Sequence, residues 1–324
     1  MAYPYKKMTS EDFDYIRSVT ASDRVWVGDE IAKEYYRDEM PEYGVFPPEL
    51  YVEVLNKEEI SAIMAYAYKE NIPVVCRGAG TGLAGGATCK YGGIMLSVMR
   101  MNKIFPIDRK NQTITAEPGA LLIDIQAAAA AGGLFYPPDP GEKFACVGGN
   151  VSTNAGGMRA VKYGATRDYV RAMTVVLPTG EITHLGATVS KTSSGYSLLN
   201  LMIGSEGTLG IITELTLKII PAPKVVASLI IPFEDLNTAL SAVPKIKMSG
   251  LNPQAIEFME REIVLSSERY IGRSVFPQEL EGQQIGAYLL VTLDAGSQDE
   301  LDNMLEQMAE LVLDAGAMDM LVAD

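Results

Sequence analysis

Glycine in this sequence is concentrated where bare backbone would be needed to do chemistry. Five glycines fall within the nine residues 78–86, in the run Arg77-Gly78-Ala79-Gly80-Thr81-Gly82-Leu83-Ala84-Gly85-Gly86. Such a run lets consecutive backbone N–H groups close on an anion, and Thr81 adds a hydroxyl. Gly80 to Gly85 also satisfies the GxGxxG pattern of dinucleotide-binding folds, so a nicotinamide cofactor must be weighed. That reading needs the third glycine to open a long helix, since parallel strands are joined by a crossover of a dozen or more residues. Here Gly86-Ala87-Thr88-Cys89-Lys90-Tyr91-Gly92-Gly93 runs straight on to an apolar strand at Ile94, too short and too glycine-rich for a helix. A Walker loop is excluded because the sequence contains no Gly-Lys dipeptide. A purely structural turn is the remaining alternative, and turns seldom use so many glycines.

Two more segments share this character. Val147-Gly148-Gly149-Asn150-Val151-Ser152-Thr153-Asn154-Ala155-Gly156-Gly157 follows Pro137-Pro138-Asp139-Pro140-Gly141-Glu142, and Gly204-Ser205-Glu206-Gly207-Thr208-Leu209-Gly210-Ile211-Ile212 comes later. Small residues and side-chain amides over such lengths suit a backbone laid flat against a planar, polar ligand. Three segments so far apart in sequence imply one large ligand wrapped by backbone.

Other chemistry is sparse. The one histidine, His184, follows the turn Pro178-Thr179-Gly180 and reads as a packed or solvated hairpin residue rather than a base. Cys76, Cys89 and Cys146 lie far apart, without CxxC spacing or nearby histidines, so no metal site is expected and the thiols fit a reducing cytoplasm. A net charge of −14 disfavours nucleic acid and anionic lipid as partners. The N-terminus lacks the apolar core of a signal peptide, and no apolar run approaches the length of a membrane span, so a cytoplasmic protein is expected.

The elements that would position these segments follow from periodicity. Asn56 with Glu59 resembles a capping box ahead of Ile60, Ile63, Met64 and Ala67 at helical spacing. Short strands are expected at 72–76, 94–98, 104–108 and 113–117, then an alanine-rich helix over 121–131. Residues 134–168 read mostly as loop, 173–177 and 181–185 as a hairpin, and 211–220 as a strand ending at Pro221-Ala222-Pro223. Beyond it, strands at 225–233, 255–260, 285–294 and 318–322 alternate with helices from 235 and from Ser297, two βαβ-like halves that suggest a ferredoxin-like domain.

RGAGTGLAGGA, PPDPGE, VGGNVSTNAGGMRAVKYGATRDYV and GSEGTLGIIT together resemble the FAD-binding signature of the vanillyl-alcohol oxidase, or PCMH-type, flavoproteins. Within that superfamily they are most similar to the glycolate oxidase FAD subunit and to flavoprotein lactate dehydrogenases that work beside an electron-transfer flavoprotein. The likeness runs from about Glu49 to the last residue. It implies an α+β protein: an N-terminal extension over 1–48, a PCMH-type FAD-binding domain of two α/β subdomains over 49–223, and an incomplete ferredoxin-like cap domain over 224–324. It also implies non-covalent FAD, a 2-hydroxy-acid substrate of the lactate or glycolate type, and an electron-transfer flavoprotein or iron–sulfur subunit as acceptor. By position, Arg77, Gly78, Ala79, Gly80, Thr81, Gly82 and Gly85 would hold the pyrophosphate. Pro138 and Asp139 would approach the flavin. Gly148, Gly149, Ser152, Thr153, Asn154, Gly156, Gly157, Tyr163 and Gly164 would line the isoalloxazine and ribityl chain, while Glu206, Gly207, Gly210 and Ile211 would meet the adenosine half. The resemblance places the base and metal ligands in later, histidine-rich motifs, so the catalytic residues are expected outside this chain, which reads as a fragment.

Overall fold

Ile94-Met95-Leu96-Ser97 is apolar enough to be buried on both faces, as the inner strand of a parallel sheet must be. In a computed structural model, which describes residues 5–323, all four of these residues are buried and the strand sits inside a sheet. Its order is Val25–Val27, Leu50–Glu53, Ile94–Ser97, Val74–Arg77. The last three strands run parallel and the first pairs antiparallel with Leu50–Glu53. The stretch before residue 49 therefore contributes an edge strand to this sheet and the helix Ser10–Val19, whose Ile16 joins the same core.

Helix Lys57–Glu70 starts where Asn56 accepts a hydrogen bond from the Glu59 N–H and ends at Asn71 in the left-handed conformation. Its buried residues Ile60, Ile63 and Ala67 face a core that includes Leu50, Val52, Ile94 and Leu96. The adjacent parallel strands Val74–Arg77 and Ile94–Ser97 are joined by residues 78–93 with no helix between them, so the glycine loop itself makes the crossover.

The chain divides into two compact units. The first holds residues up to Tyr136, Pro140–Ala155 and Ala165–Ile220; the second holds Pro137–Asp139, Gly156–Gly164 and everything from Pro221. The first unit's other sheet is antiparallel, in the order Thr113–Ala116, Ile211–Lys218, Val170–Val176, Ile182–Gly186. The strand expected at 104–108 is reduced to isolated bridges at Ile104 and Asp108.

In the second unit, strands Val225–Phe233, Ala255–Glu260, Ala287–Ala295 and Leu321–Ala323 form one antiparallel sheet in the order second, third, first, fourth. That is the ferredoxin-like arrangement that two βαβ halves produce. Helices Leu236–Met248 and Gln298–Asp314 bury Ala239, Ala242, Ile246, Leu301, Met308 and Val312 against one face of it. A further helix, Arg261–Ile271, which was not among the expected elements, buries Val264 alone, against Ile285 and Tyr288. Among the described residues no helix is long and apolar enough to cross a membrane.

One buried charge ties the N-terminal helix down. The Asp12 carboxylate is fully buried and receives Lys6 Nζ at 2.7 Å, Tyr66 Oη at 2.6 Å and the Thr9 N–H at 2.7 Å. Burial pushes this carboxyl up, but the Lys6, Tyr66 and Thr9 donors outweigh it and hold it down at about 2, below the ordinary 3.8. A depressed folded-state value contributes stability that is complete above the ordinary value and is lost as pH falls through the folded one. Asp12→Asn should cost about 1–2 kcal/mol at neutral pH. In thermal melts its gap from wild type should close between about pH 4 and pH 2; a gap unchanged at pH 2 would show that the charge is not the cause.

Candidate functional site

The strand Val74–Arg77 ends on a guanidinium that does not reach solvent. Arg77 is 7% exposed and donates to Arg37 O at 2.9 Å, Ala87 O at 3.1 Å and Glu34 O at 3.4 Å. A Cβ on Gly80 would stand 2.3 Å from Arg77 Nη2, so Gly80, at φ +76°, lies directly on the guanidinium. The backbone N–H groups of Gly80, Thr81 and Gly82 have no hydrogen-bond partner among the described residues. Three open donors in succession, the first on the glycine that lies against a buried positive charge, suit an anion site of the nest type. Burial lowers the Arg77 pKa and the Asp38 carboxylate raises it. Asp38 Oδ2 is itself buried without a hydrogen-bond partner among the described residues, and Asp38, Glu34, Arg37, Arg77, Ala79 and Gly80 line one cavity of about 470 Å³. Nothing in the polar, tyrosine-rich sequence around Glu34–Glu39 marks it as part of this wall; only the carbonyls Arg77 binds disclose it.

Gly78 answers to a different constraint. Its missing Cβ would fall 2.2 Å from Cys146 Sγ. Cys146 precedes the short helix Val147–Ser152, is fully buried, and is approached by the N–H groups of Gly149 and Ala79. Burial pushes this thiol up in pKa, and those N–H groups partly oppose it. The thiol thus fills the gap between the first and second glycine segments, a role its isolated position in sequence gave no sign of. Gly148 packs on Pro118, where a Cβ would meet the Pro118 Cβ at 2.6 Å and its carbonyl oxygen at 2.9 Å. Gly85, at φ +75°, packs on the Tyr43 ring.

The second and third segments are joined by backbone. Gly204 N–H donates to Val151 O at 3.1 Å and Glu206 N–H to Ser152 O at 2.9 Å. A Cβ on Gly204 would touch the Asn154 Cβ at 3.4 Å, and one on Gly86 would touch Glu206 Oε2 at 3.4 Å. All three segments therefore converge within the first unit, bringing together Gly80–Gly85, Gly148–Asn154 and Glu206–Gly207. Asn154 and Glu206 hold φ +49° and +52°, a strained left-handed backbone of the kind that persists where the surroundings enforce it. Gly210 and Ile211 stand apart: a Cβ on Gly210 would meet Val176 O at 2.8 Å, and Ile211 is a core residue at the start of its strand, so only backbone is on offer there.

Pro138, Asp139, Gly156, Gly157, Tyr163 and Gly164 belong to the second unit. Asp139 pairs with Arg159 at 3.3 Å. Gly156 and Gly157 lead into the one-turn helix Ala160–Tyr163, which Gly164 ends at φ +83°. Tyr163 Oη donates to Asp294 Oδ2 at 2.5 Å, and Lys162 Nζ donates to Asp294 Oδ1. His184 Nδ1 pairs with Thr174 Oγ1 at 2.9 Å across the hairpin. No group of three or more His, Cys, Asp or Glu side chains among the described residues is placed to hold a metal ion.

Comparison with known proteins matches this layout. Residues 48–186 match the family described as FAD binding domain, and residues 222–324 match the FAD linked oxidases, C-terminal domain. A D-lactate dehydrogenase of Anaerostipes hadrus is 58% identical over 99% of this chain and 68% of its own length. A glycolate oxidase subunit of Bacillus subtilis is 39% identical over 73% of this chain and 50% of its own length. Among solved structures, an alkyldihydroxyacetonephosphate synthase superposes with a TM-score of 0.81 at 19% identity, over 99% of this chain and 61% of that one. p-Cresol methylhydroxylase does so with a TM-score of 0.79 at 17% identity, over 98% of this chain and 67% of that one. Those two likenesses establish the PCMH-type fold alone. The chain thus spans between half and about two thirds of the relatives it matches. With both domains present and a relative of this identity along nearly its whole length, the chain belongs to the FAD-linked oxidases.

Proposed function

We propose that this chain holds FAD non-covalently and serves the oxidation of a 2-hydroxy acid, lactate or glycolate, to the 2-oxo acid. The observation that carries the cofactor half is the run of open N–H donors on Gly80, Thr81 and Gly82, with Gly80 directly against the buried Arg77 guanidinium, which suits a pyrophosphate. The substrate half is supported by relatives named D-lactate dehydrogenase and glycolate oxidase subunit.

Residue roles follow the same reading. Gly78, Ala79 and Gly85 shape the pyrophosphate loop, with Arg77 acting as a charge beneath it, because its donors are committed to carbonyls. Gly148, Gly149, Ser152, Thr153, Asn154, Gly156, Gly157, Tyr163 and Gly164, with Pro138 and Asp139, line the flavin, and Glu206, Gly207, Gly210 and Ile211 serve the adenosine half. FAD, when bound, supplies the two-electron acceptor for the substrate. Electrons then leave to an electron-transfer flavoprotein or an iron–sulfur subunit, and the protein works in the cytoplasm, where its three free cysteines stay reduced.

A visible absorption spectrum of the purified chain, before and after acid denaturation, tests the cofactor half. Flavin bands that travel with the protein and are released by acid support it; a chain that is colourless and takes up no added FAD counts against it. Anaerobic addition of either lactate enantiomer or glycolate to the FAD-loaded chain tests the substrate half through bleaching of those bands. A second reading, a flavin-binding or assembly module without its own turnover, is favoured by the placement of the only histidine in a hairpin pair with Thr174. Bound FAD that no 2-hydroxy acid bleaches would decide for it.

A further inference from the structure

Helices Leu236–Met248 and Gln298–Asp314 cover one face of the second unit's sheet, and the even-numbered residues of the strand Ala287–Ala295 point to the other. At the end of that row stands Asp294, its side chain 1% exposed. A buried carboxylate is costly unless its oxygens are met by donors. Here three donors meet it: Lys162 Nζ on Oδ1, Tyr163 Oη on Oδ2 at 2.5 Å, and Gln254 Nε2 on Oδ2 at 3.2 Å. Gln254 is held in turn by its own N–H on Thr292 O at 2.7 Å, so the receiving pocket is a fixed feature of the sheet.

Two of those donors lie on Ala160–Tyr163, a helix of four residues. One turn cannot hold itself in water, since nucleation is unfavourable until further bonds are added. Its orientation must come from what grips its ends: the Asp139–Arg159 pair before it and Asp294 at its close. Gly156 and Gly157 precede this turn directly and Gly164 follows it.

We propose that Asp294 is a positioning residue for the flavin-lining segment, acting through Lys162 and Tyr163. The proposal rests on the reading that Gly156, Gly157, Tyr163 and Gly164 line FAD. Asp294 fixes the direction of the Tyr163 phenol as a donor and balances the Lys162 charge, so the segment is set before the cofactor arrives. None of the cradle segments contains this residue, and its sequence surroundings, Val-Thr-Leu-Asp-Ala, look like an ordinary strand end.

The test compares wild type, Asp294→Asn, Tyr163→Phe, Lys162→Met and the triple variant by FAD affinity, by the shape of the long-wavelength flavin band, and by thermal melting without FAD. Asp294→Asn should weaken FAD binding about tenfold or more and alter the band. Tyr163→Phe, a mild change that keeps the fold, should reproduce part of both effects. On the Tyr163→Phe, Lys162→Met background, Asp294→Asn should add little, because the partners it acts through are gone. Variants that melt lower yet bind FAD with wild-type affinity and an unchanged band would overturn the proposal, leaving Asp294 a merely structural anchor. If Asp294→Asn does not fold, Tyr163→Phe decides: wild-type binding and spectrum overturn the proposal, and a weakened, altered complex upholds it. A wild-type chain that takes up no FAD would overturn the flavin reading together with this one, whereas normal wild-type binding beside indifferent variants overturns this one alone.

Discussion

Arg77→Met should leave the chain unable to retain FAD through gel filtration, with its dissociation constant raised at least about a hundredfold. The guanidinium holds three carbonyls, on Glu34, Arg37 and Ala87, and puts a positive charge directly against Gly80. Methionine restores neither the donors nor the charge, and it strands Asp38, whose Oδ2 is already buried without a hydrogen-bond partner. Removing one member of a buried charge group costs about 3–5 kcal/mol, because the other charge is left uncompensated. Part of the loss is therefore in folding. Arg77→Lys separates the two: it keeps the charge but not the planar fork, so it should recover stability only partly while keeping some affinity for the pyrophosphate. Adding Asp38→Asn to Arg77→Met should regain stability without regaining FAD. Isothermal titration with FAD, beside denaturant melts of the apo chain, reads both quantities. Wild-type FAD affinity in Arg77→Met would mean that the loop needs no charge beneath it.

Much of this layout was legible in the sequence, and where it was not the reason is physical. Glycine density marked the three segments that the structure brings together, because close backbone approach leaves a compositional trace. The second domain was readable because its strands and helices alternate, and because Ser297 accepts from the Glu300 N–H as a cap residue does. What sequence could not show is which distant groups those segments lean on. Glu34, Arg37 and Ala87 enter through their carbonyl oxygens, which every residue has. Cys146 and Asp294 are single side chains whose partners lie far along the chain. The dinucleotide pattern in the first loop was separable from its imitation by counting residues to the next strand, and residues 78–93 contain no helix. Yet Val74–Arg77 and Ile94–Ser97 do run parallel as neighbours, so a coil can serve as crossover where a loop is anchored from below.

The glycines themselves divide into those that leave room for a ligand and those that leave room for the protein, and Gly78 shows the difference. Gly78→Ala places a methyl 2.2 Å from Cys146 Sγ, well inside contact distance. The thiol is short and buried, and the N–H groups of Ala79 and Gly149 approach it, so swinging it aside would disturb both glycine segments. Overpacking of this kind costs about 3 kcal/mol, near the upper end for an extra methyl in a full core. FAD uptake should fall with it, since the displaced atoms belong to the loop that carries the open donors. The next atom that the methyl would meet is Cys146 Cβ at 3.8 Å, an ordinary contact. Cys146→Ala therefore makes the room that Gly78→Ala needs. The double variant should melt closer to wild type than Gly78→Ala does and regain most of its FAD, a coupling of opposite sign to simple addition. Gly148→Ala offers the contrast, because there the methyl meets Pro118 through both ring and backbone carbonyl and no single truncation relieves it. Thermal melts and FAD titrations of the four variants measure this directly. If Gly78→Ala melts and binds FAD like wild type, the contact with Cys146 costs nothing; if it is impaired and removing the thiol fails to rescue it, the glycine is required by the ligand and not by the cysteine behind it.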